Sequence, residues 1–217
     1  MFGTAKDSFW QALILTIFVF VIGLIVGIAY EGTKVSQVNN YYTLSEISLT
    51  DALNLNNLID LNKTSCATLA DANILFADKI YNEAHLLEQY EDSGQITDSL
   101  QIAHTKYDLL RTLLWINSMK VSQKCGKQFS TVVYLYDYQT KNLNQKATQD
   151  VWSKILFDLK QQEGNQMLLI PIAVDSNLSS LDSLLQQYKI QKFPAVVIDN
   201  NKVLYNLTSV QNLQKEL

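Results

Sequence analysis

The sequence is poor in the residues that most often carry chemistry. Its 217 residues include two cysteines, two histidines, two prolines and seven glycines. Neither a Gly-x-Ser-x-Gly segment nor a glycine-rich phosphate loop is present, and these are typical of many hydrolases and nucleotide-binding enzymes. His85 and His104 lack the tight group of ligands that a metal centre needs, so we interpret both as surface or helix-flank residues. We therefore expect no metal, no cofactor and no hydrolytic activity.

A basic run is also absent. The 17 Lys and Arg residues are dispersed among 21 Asp and Glu residues, and the formal net charge is -4. Proteins that bind nucleic acid usually cluster their cations to neutralise phosphates. The charge pattern therefore argues against a nucleic-acid partner.

An uncharged apolar stretch over residues 9–30 is the clearest positive signal. As a helix rising about 1.5 Å per residue it is long enough to cross a hydrocarbon core of about 30 Å. Trp10 and Tyr30 stand at its ends, where amphipathic rings favour the boundary between water and lipid. A cleaved signal peptide is the alternative, because residues 27–29 have a small-x-small pattern, but the stretch exceeds the usual apolar core of such peptides. We predict an uncleaved single-pass anchor behind a short tail of residues 1–8.

Charge alone does not orient this anchor, because Lys6 and Lys34 lie on opposite sides of it. Three glycosylation sequons begin at Asn62, Asn177 and Asn206, and a disulfide is possible. These features favour a cell-membrane protein whose C-terminal part lies outside the cytoplasm.

Gly23 and Gly27 form a GxxxG pattern within the anchor. This spacing lets two membrane helices approach closely and suggests a homodimer. Glycine is also frequent in membrane helices without any such role.

Residues 31–125 are predicted to form a helical linker and an antiparallel helical hairpin. Two apolar stripes at spacings of three and four indicate two long helices, separated by a turn at residues 91–94. A weaker helix is predicted over residues 50–61. The first stripe consists of Leu69, Ala72, Phe76, Ile80, Ala84 and Leu87, and the second of Leu100, Ala103, Tyr107, Leu110 and Leu114.

The two cysteines fall at the same end of this hairpin. Cys66 opens the first long helix and Cys125 lies just past the second, so an antiparallel arrangement makes them neighbours. We predict a disulfide between them, with two separately buried thiols as the alternative.

Residues 131–217 are predicted to form an α/β domain of order β-α-β-α-β-β-α. Strand patterns cover residues 131–138 and 167–174, and the second is apolar on both faces, as in a central parallel strand. A helix over residues 147–162 presents Ala147, Val151, Ile155 and Leu159 on one face. A short helix over residues 179–188, a hairpin turning at Asn200-Asn201 and a terminal helix complete the order.

The segment YKIQKFPAVVIDNNKVL, together with this element order, resembles the second half of a thioredoxin-like domain. The resemblance covers residues 131–217, about 40% of the chain. It implies that Pro194 follows a cis peptide bond at the start of the hairpin.

The catalytic part of that family's pattern is missing. Thioredoxin-like oxidoreductases carry Cys-x-x-Cys at a helix N-terminus after the first strand, where the thiol pKa is lowered. The matching residues 138–144 contain no cysteine, and Cys125 precedes the strand. The resemblance therefore implies the fold and the proline loop without the catalytic residues.

We expect the chain to be a non-catalytic, membrane-anchored adaptor, assembly or chaperone-like protein. In the family the backbone beside the cis-proline pairs with extended peptides, which implies a peptide contact at Phe193, Pro194, Ala195 and Tyr138. Pro194 could instead serve only to shape the hairpin. Two other functions stay open: a membrane-tethered thiol-disulfide oxidoreductase using Cys66 and Cys125, and a structural protein that oligomerises through its membrane helix.

Overall fold

The structure is a computed structural model that describes residues 5–60, 65–92 and 98–217. It has two compact units, one up to Tyr41 and the other covering Tyr42–Leu217. The elements are helices α1 (Ala5–Asp60), α2 (Cys66–Asp92) and α3 (Asp98–Cys125), strand β1 (Ser130–Tyr136), helix α4 (Leu143–Glu163), a 3-10 turn (Gly164–Gln166), strand β2 (Met167–Ala173), helix α5 (Ser179–Gln187), strands β3 (Ala195–Ile198) and β4 (Lys202–Leu204), and helix α6 (Val210–Gln214).

The first unit contains a helical span, Phe9–Tyr30, that is long and apolar enough to cross a membrane. Its mean hydropathy is 3.0 and none of it is buried within the chain. A Cβ atom added at Gly23 or Gly27 would meet nothing within 4 Å. Both glycines therefore lie on an open helix surface. Of the tail predicted over residues 1–8, residues 1–4 lie outside the described part.

The weaker helix predicted over residues 50–61 is not a separate element. Residues 50–60 are the C-terminal end of α1, and residue 61 lies outside the described residues. No proline occurs between residues 31 and 60, so the chain has no strong helix breaker there. Ser45 donates a hydrogen bond to Glu83, and Lys79 Nζ donates to the Leu44 carbonyl oxygen at 3.0 Å. These contacts attach this part of α1 to α2.

The antiparallel hairpin of α2 and α3 is confirmed. Cys66 at the start of α2 is bonded to Cys125 at the end of α3, and Asn117 Nδ2 donates to Asn73 Oδ1 at 2.7 Å. The described side chains of both predicted stripes are buried except Ala72, which is half-buried. The side chains of Ala84, Leu87 and Leu100 are not among those described, and residues 93–94 of the predicted turn lie outside the described residues.

The second half of this unit is built on a four-stranded mixed sheet in the order β2-β1-β3-β4. Strand β1 pairs in parallel with β2 and antiparallel with β3, and β4 pairs antiparallel with β3. The predicted order β-α-β-α-β-β-α is found. Alternate residues of the strands pack with α4 and α6 in one core, which includes Val132, Tyr134, Trp152, Leu156, Leu159, Leu169, Val196 and Leu213.

The apolar face predicted for α4 is buried only in part. Val151 is 43% exposed and Ala147 is also exposed, whereas Trp152 and Leu156 are buried with Leu159. A strict spacing of four residues drifts around a helix of 3.6 residues per turn, whereas a mixed spacing of three and four stays on one face. Trp152 therefore brings a larger apolar surface to the core than Val151 could.

The hairpin turn lies one residue earlier than predicted. Asp199 and Asn200 have φ of 47° and 56°, and Asn201 N donates to the Ile198 carbonyl oxygen at 3.0 Å. Both residue types tolerate the left-handed region that tight hairpin turns require. The turn also contacts α3, because Trp115 Nε1 donates to Asn200 Oδ1 at 2.6 Å.

We predict that Asn200→Ala lowers the free energy of unfolding by about 2 to 3 kcal/mol. The indole N–H of fully buried Trp115 would lose its acceptor, at about 1–3 kcal/mol, and alanine is strained at positive φ. Urea unfolding followed by tryptophan fluorescence measures the change. Asn200→Gly removes the acceptor without the backbone strain and should cost less, while exposed Asn201→Ala serves as the control. Equal stability of all three variants would contradict the prediction.

Candidate functional site

The Phe193-Pro194 peptide bond is cis, as the resemblance noted for this segment implied. It precedes β3, whose first residue, Ala195, pairs with Leu135 of β1. Because this pairing is antiparallel, the segment that leaves β1 and the segment that enters β3 lie at the same end of the sheet. That end is the first candidate site.

The four residues predicted to contact a peptide differ in exposure. Tyr138 is 37% exposed and Phe193 is half-buried, whereas Pro194 and Ala195 are buried, with Ala195 at 0%. The Ala195 side chain belongs to the core. Any contact made by a partner here therefore involves Phe193, Tyr138 and the main chain.

The loop between β1 and α4 is held by two side chains. Asp175 accepts hydrogen bonds from the backbone N–H groups of Tyr138 and Gln139, at 3.1 and 2.8 Å. Gln149 of α4 bonds both the N–H and the carbonyl oxygen of Asp137 at 3.0 Å. The loop backbone therefore has a defined conformation beside the cis-proline segment.

Two carboxyl groups meet at this loop. Burial raises the pKa of Asp137, and the nearby Asp175 carboxylate raises it further. A hydrogen bond with the Asp175 side chain acts in the same direction, because it favours the protonated form. Asp137 thus holds a proton to higher pH than an ordinary aspartate does.

The N-terminus of α4 is capped by its own sequence. Asn142 Oδ1 accepts from the N–H groups of Asn144 and Gln145 at 3.0 and 3.2 Å, and the Thr140 hydroxyl donates to Gln145 Oε1 at 2.9 Å. A side-chain cap satisfies helix donors that would otherwise bind water or a ligand. Residues 138–144 are thus arranged as a capped turn.

The predicted disulfide is present. Cys66 and Cys125 are bonded, their Cα atoms are 5.6 Å apart, and 59 positions separate them in the sequence. Both residues are half-buried. The bond closes the base of the α2–α3 hairpin.

The interpretation of both histidines as surface or helix-flank residues is wrong for His104. It is buried on α3, and its ring centroid is 4.3 Å from that of Tyr138. The contact joins the helical hairpin to the loop after β1. The His85 side chain lies outside the described side chains. In the described part of the chain, no three His, Cys, Asp or Glu residues are grouped so as to hold a metal ion.

Sequence reasoning missed a buried charged pair on α3. Asp108 is 1% exposed and Arg111 is 5% exposed, with Arg111 Nη1 3.5 Å from Asp108 Oδ1. Asp108 also accepts from the Ala173 N–H at 3.1 Å and lies within hydrogen-bond distance of Ser176 Oγ. Burial raises the pKa of Asp108 although Arg111 opposes this. Asp108 and Arg111 lie beside the predicted apolar stripe and not in it, so the sequence pattern carried no signal for their burial.

A cleft of about 390 Å³ lies between the helical hairpin, the sheet and α4. Four tyrosines line it, and two of them, Tyr134 and Tyr136, are stacked with ring centroids 5.3 Å apart. They stack because alternate residues of β1 face the same side of the sheet. Arg111 and Lys146 are the cationic residues of the lining, and Asp150 is the anionic one. This cleft, hereafter the tyrosine cleft, is a second candidate site.

The fold and these two sites define a mixed α/β protein with an apolar N-terminal helix. Comparisons with protein-family models, with curated proteins and with solved structures give no significant match.

Proposed function

We propose that the chain is a single-pass membrane protein with a thioredoxin-like domain that binds extended peptide segments of other proteins without thiol chemistry. The observation that carries the proposal is the position of the Phe193-Pro194 segment, which enters β3 at the end of the sheet where the chain leaves β1. The sheet order β2-β1-β3-β4, reached through β-α-β-α-β-β-α, adds support to the thioredoxin-like part. Such a protein would act as an adaptor or assembly factor.

The loop after β1 supports a function in binding. Where the family places its reactive cysteines, this chain has residues 138–144, and Asn142 occupies helix N–H groups that would stabilise a thiolate. Cys66 and Cys125 are bonded to each other at the base of the hairpin. The part of the family's pattern that remains is the segment beside Pro194, and we assign it to the binding of peptides.

An extended peptide could add to the main chain beside Pro194. Strand addition takes its affinity from backbone hydrogen bonds and its selectivity from side-chain contacts. Half-buried Phe193 and exposed Tyr138 provide aromatic surface for those contacts. The bound segment would lie at the end of the sheet where β1 ends and β3 begins.

The proposed location is the outer face of the cell membrane, with Phe9–Tyr30 as the anchor. The Cys66–Cys125 disulfide is typical of oxidising compartments. Asn177 and Asn206 are exposed, as glycosylated asparagines must be, while Asn62 lies outside the described residues. The open surface around Gly23 and Gly27 would permit a second copy to pack there.

Photo-crosslinking tests the binding function. The full chain in detergent micelles is incubated with a panel of extended peptides that carry a photoreactive group, and we expect saturable crosslinks close to Phe193. Phe193→Ala should weaken crosslinking about tenfold, as expected for loss of an aromatic anchor worth at least about 1 kcal/mol. Leu207→Ala, an exposed apolar residue after β4, is the matched control. The proposal fails if no peptide gives saturable crosslinking, or if both variants weaken it equally.

A further inference from the structure

The tyrosine cleft continues into a longer trough. A second groove, of about 950 Å³, runs between α2 and α4 and shares Tyr81, Ser153 and Leu169 with the tyrosine cleft. Tyr81 of α2 stacks on Phe157 of α4 with ring centroids 6.4 Å apart. Phe157 remains 42% exposed. The trough is therefore elongated and has an aromatic surface along it.

The two parts of the trough differ in charge. The lining of the groove contains two carboxylates, Asp78 and Asp158, and two cations, Lys154 and Lys160, so it has no net charge. The lining of the tyrosine cleft has two cations against the single carboxylate of Asp150. The cleft is the more positive end.

Arg111 lines the cleft, and its positive charge is only partly compensated by neighbouring groups. Its ion pair with Asp108 is long, at 3.5 Å, and Asp108 is also engaged by Ala173 and Ser176. Among the described residues its buried Nε–H has no hydrogen-bond acceptor. A buried guanidinium is costly without full pairing, and a ligand carboxylate would supply the missing charge. Arginine suits this role because its planar fork matches a carboxylate.

We infer that the trough binds an extended acidic peptide, with an aromatic side chain against Tyr81 and Phe157 and a carboxylate in the tyrosine cleft near Arg111 and Lys146. The length of the trough favours a peptide over a small free acid, and its charge gradient sets the direction of binding. Tyr134, Tyr136 and Tyr138 would enclose the carboxylate end, in a volume typical of ligand pockets. This inference rests on the proposed peptide-binding function but uses a neighbouring surface, which shares Tyr138 with the first candidate site.

Paired peptides test it. Short acetylated and amidated peptides carrying one Phe and either Glu or Gln are labelled with a fluorophore and titrated by anisotropy against the full chain in micelles. We expect the Glu peptide to bind about tenfold more tightly than its Gln twin, as for a charge-assisted contact. Equal binding by the two peptides would overturn the inference, as would competition by acetate as effective as that by the peptide.

Matched variants locate the contact. Lys146→Ala should reduce the Glu-over-Gln preference about twofold to threefold, in line with one exposed charge, and Arg111→Lys should reduce it further because the fork is lost. Lys141→Ala removes an exposed cation outside the cleft and should leave the preference unchanged. The preference is a ratio measured on one protein, so a partial loss of folded Arg111→Lys does not change it. A reduction by Lys141→Ala as large as that by Lys146→Ala would overturn the assignment.

The proposals for the two peptide-binding surfaces can be contradicted independently of each other. If the Glu-over-Gln preference is absent and crosslinking at Phe193 is intact, the trough is not the binding site for acidic peptides and the proposed function still stands. If crosslinking at Phe193 is absent and the Glu-over-Gln preference is retained, peptides bind in the trough and not beside Pro194.

Discussion

Replacing Cys66 and Cys125 together by serine is expected to lower the free energy of unfolding of residues 42–217 by about 4 kcal/mol. The bond joins positions 59 apart in the sequence, and on the loop-entropy account closing about 60 residues restricts the unfolded chain by that amount. For a unit of this size the loss corresponds to a fall in melting temperature of about 8 to 16 °C.

The position of the bond makes the hairpin the part most affected. Cys66 begins α2 and Cys125 ends α3, so the bond joins the start of one helix to the end of the other. Further along, Asn73 and Asn117 still join the helices by an amide hydrogen bond. We therefore expect the variant to fold with a less stable hairpin.

Thermal unfolding by circular dichroism measures the effect on the full chain in micelles. Ser122→Ala, an exposed substitution on α3, is the control and should change stability by less than about 0.5 kcal/mol. Reduction of the wild-type bond should reproduce the melting temperature of the double variant. A double variant within about 1 kcal/mol of wild type would contradict a structural role and favour thiol exchange by this cysteine pair.

The hairpin and the element order of the C-terminal half could be predicted because both follow from periodic apolar patterns. The stripe through Leu69 and Phe76 has helical spacing, and residues 167–174 are apolar enough to indicate a central strand. The cis bond before Pro194 was predicted from a resemblance, since an isolated X-Pro bond is cis in only about 5–6% of cases. Local sequence patterns were therefore sufficient to predict these helices and strands.

Long-range polar contacts could not be predicted in this way. Asp108 and Arg111 look like solvent-facing residues of an amphipathic helix, and their burial depends on where β2 and Ser176 lie against α3. His104 is buried for a similar reason, through its contact with Tyr138. Both candidate sites combine residues from elements distant in sequence, so their composition becomes visible only when the elements are packed.

Asp108→Ala is expected to lower the free energy of unfolding by about 3 to 5 kcal/mol, because it removes the oxygen atoms that a buried guanidinium and a buried N–H both contact, at about 1–3 kcal/mol or more for each group. Arg111 Nη1 would lose its contact with Asp108 Oδ1, and the Ala173 N–H would lose its acceptor. Asp108→Asn keeps a side-chain oxygen for Ala173 and should lose less than half as much. Exposed Asp158→Ala is the control, measured with the others by urea unfolding.

The pH dependence of the same variants tests the protonation state of Asp108. Ser176 Oγ lies near Asp108 Oδ2 and 2.9 Å from the Ala173 carbonyl oxygen, yet a hydroxyl has one proton to donate. A protonated Asp108 that donates to Ser176 would let Ser176 donate to Ala173, in agreement with the direction in which burial shifts the Asp108 pKa.

A carboxyl whose pKa is higher in the folded than in the unfolded chain binds its proton more tightly when folded. The stability it contributes is fully present below the unfolded value of 3.8 and is lost as pH rises through the raised folded pKa. Asp108→Asn lacks this proton, so the stability of wild type relative to Asp108→Asn should be greatest at acid pH and decline toward neutral pH. Urea unfolding of both proteins across that range measures the difference. A difference that grows with pH would show that Arg111 outweighs burial and that Asp108 is an ordinary ionised partner of the arginine.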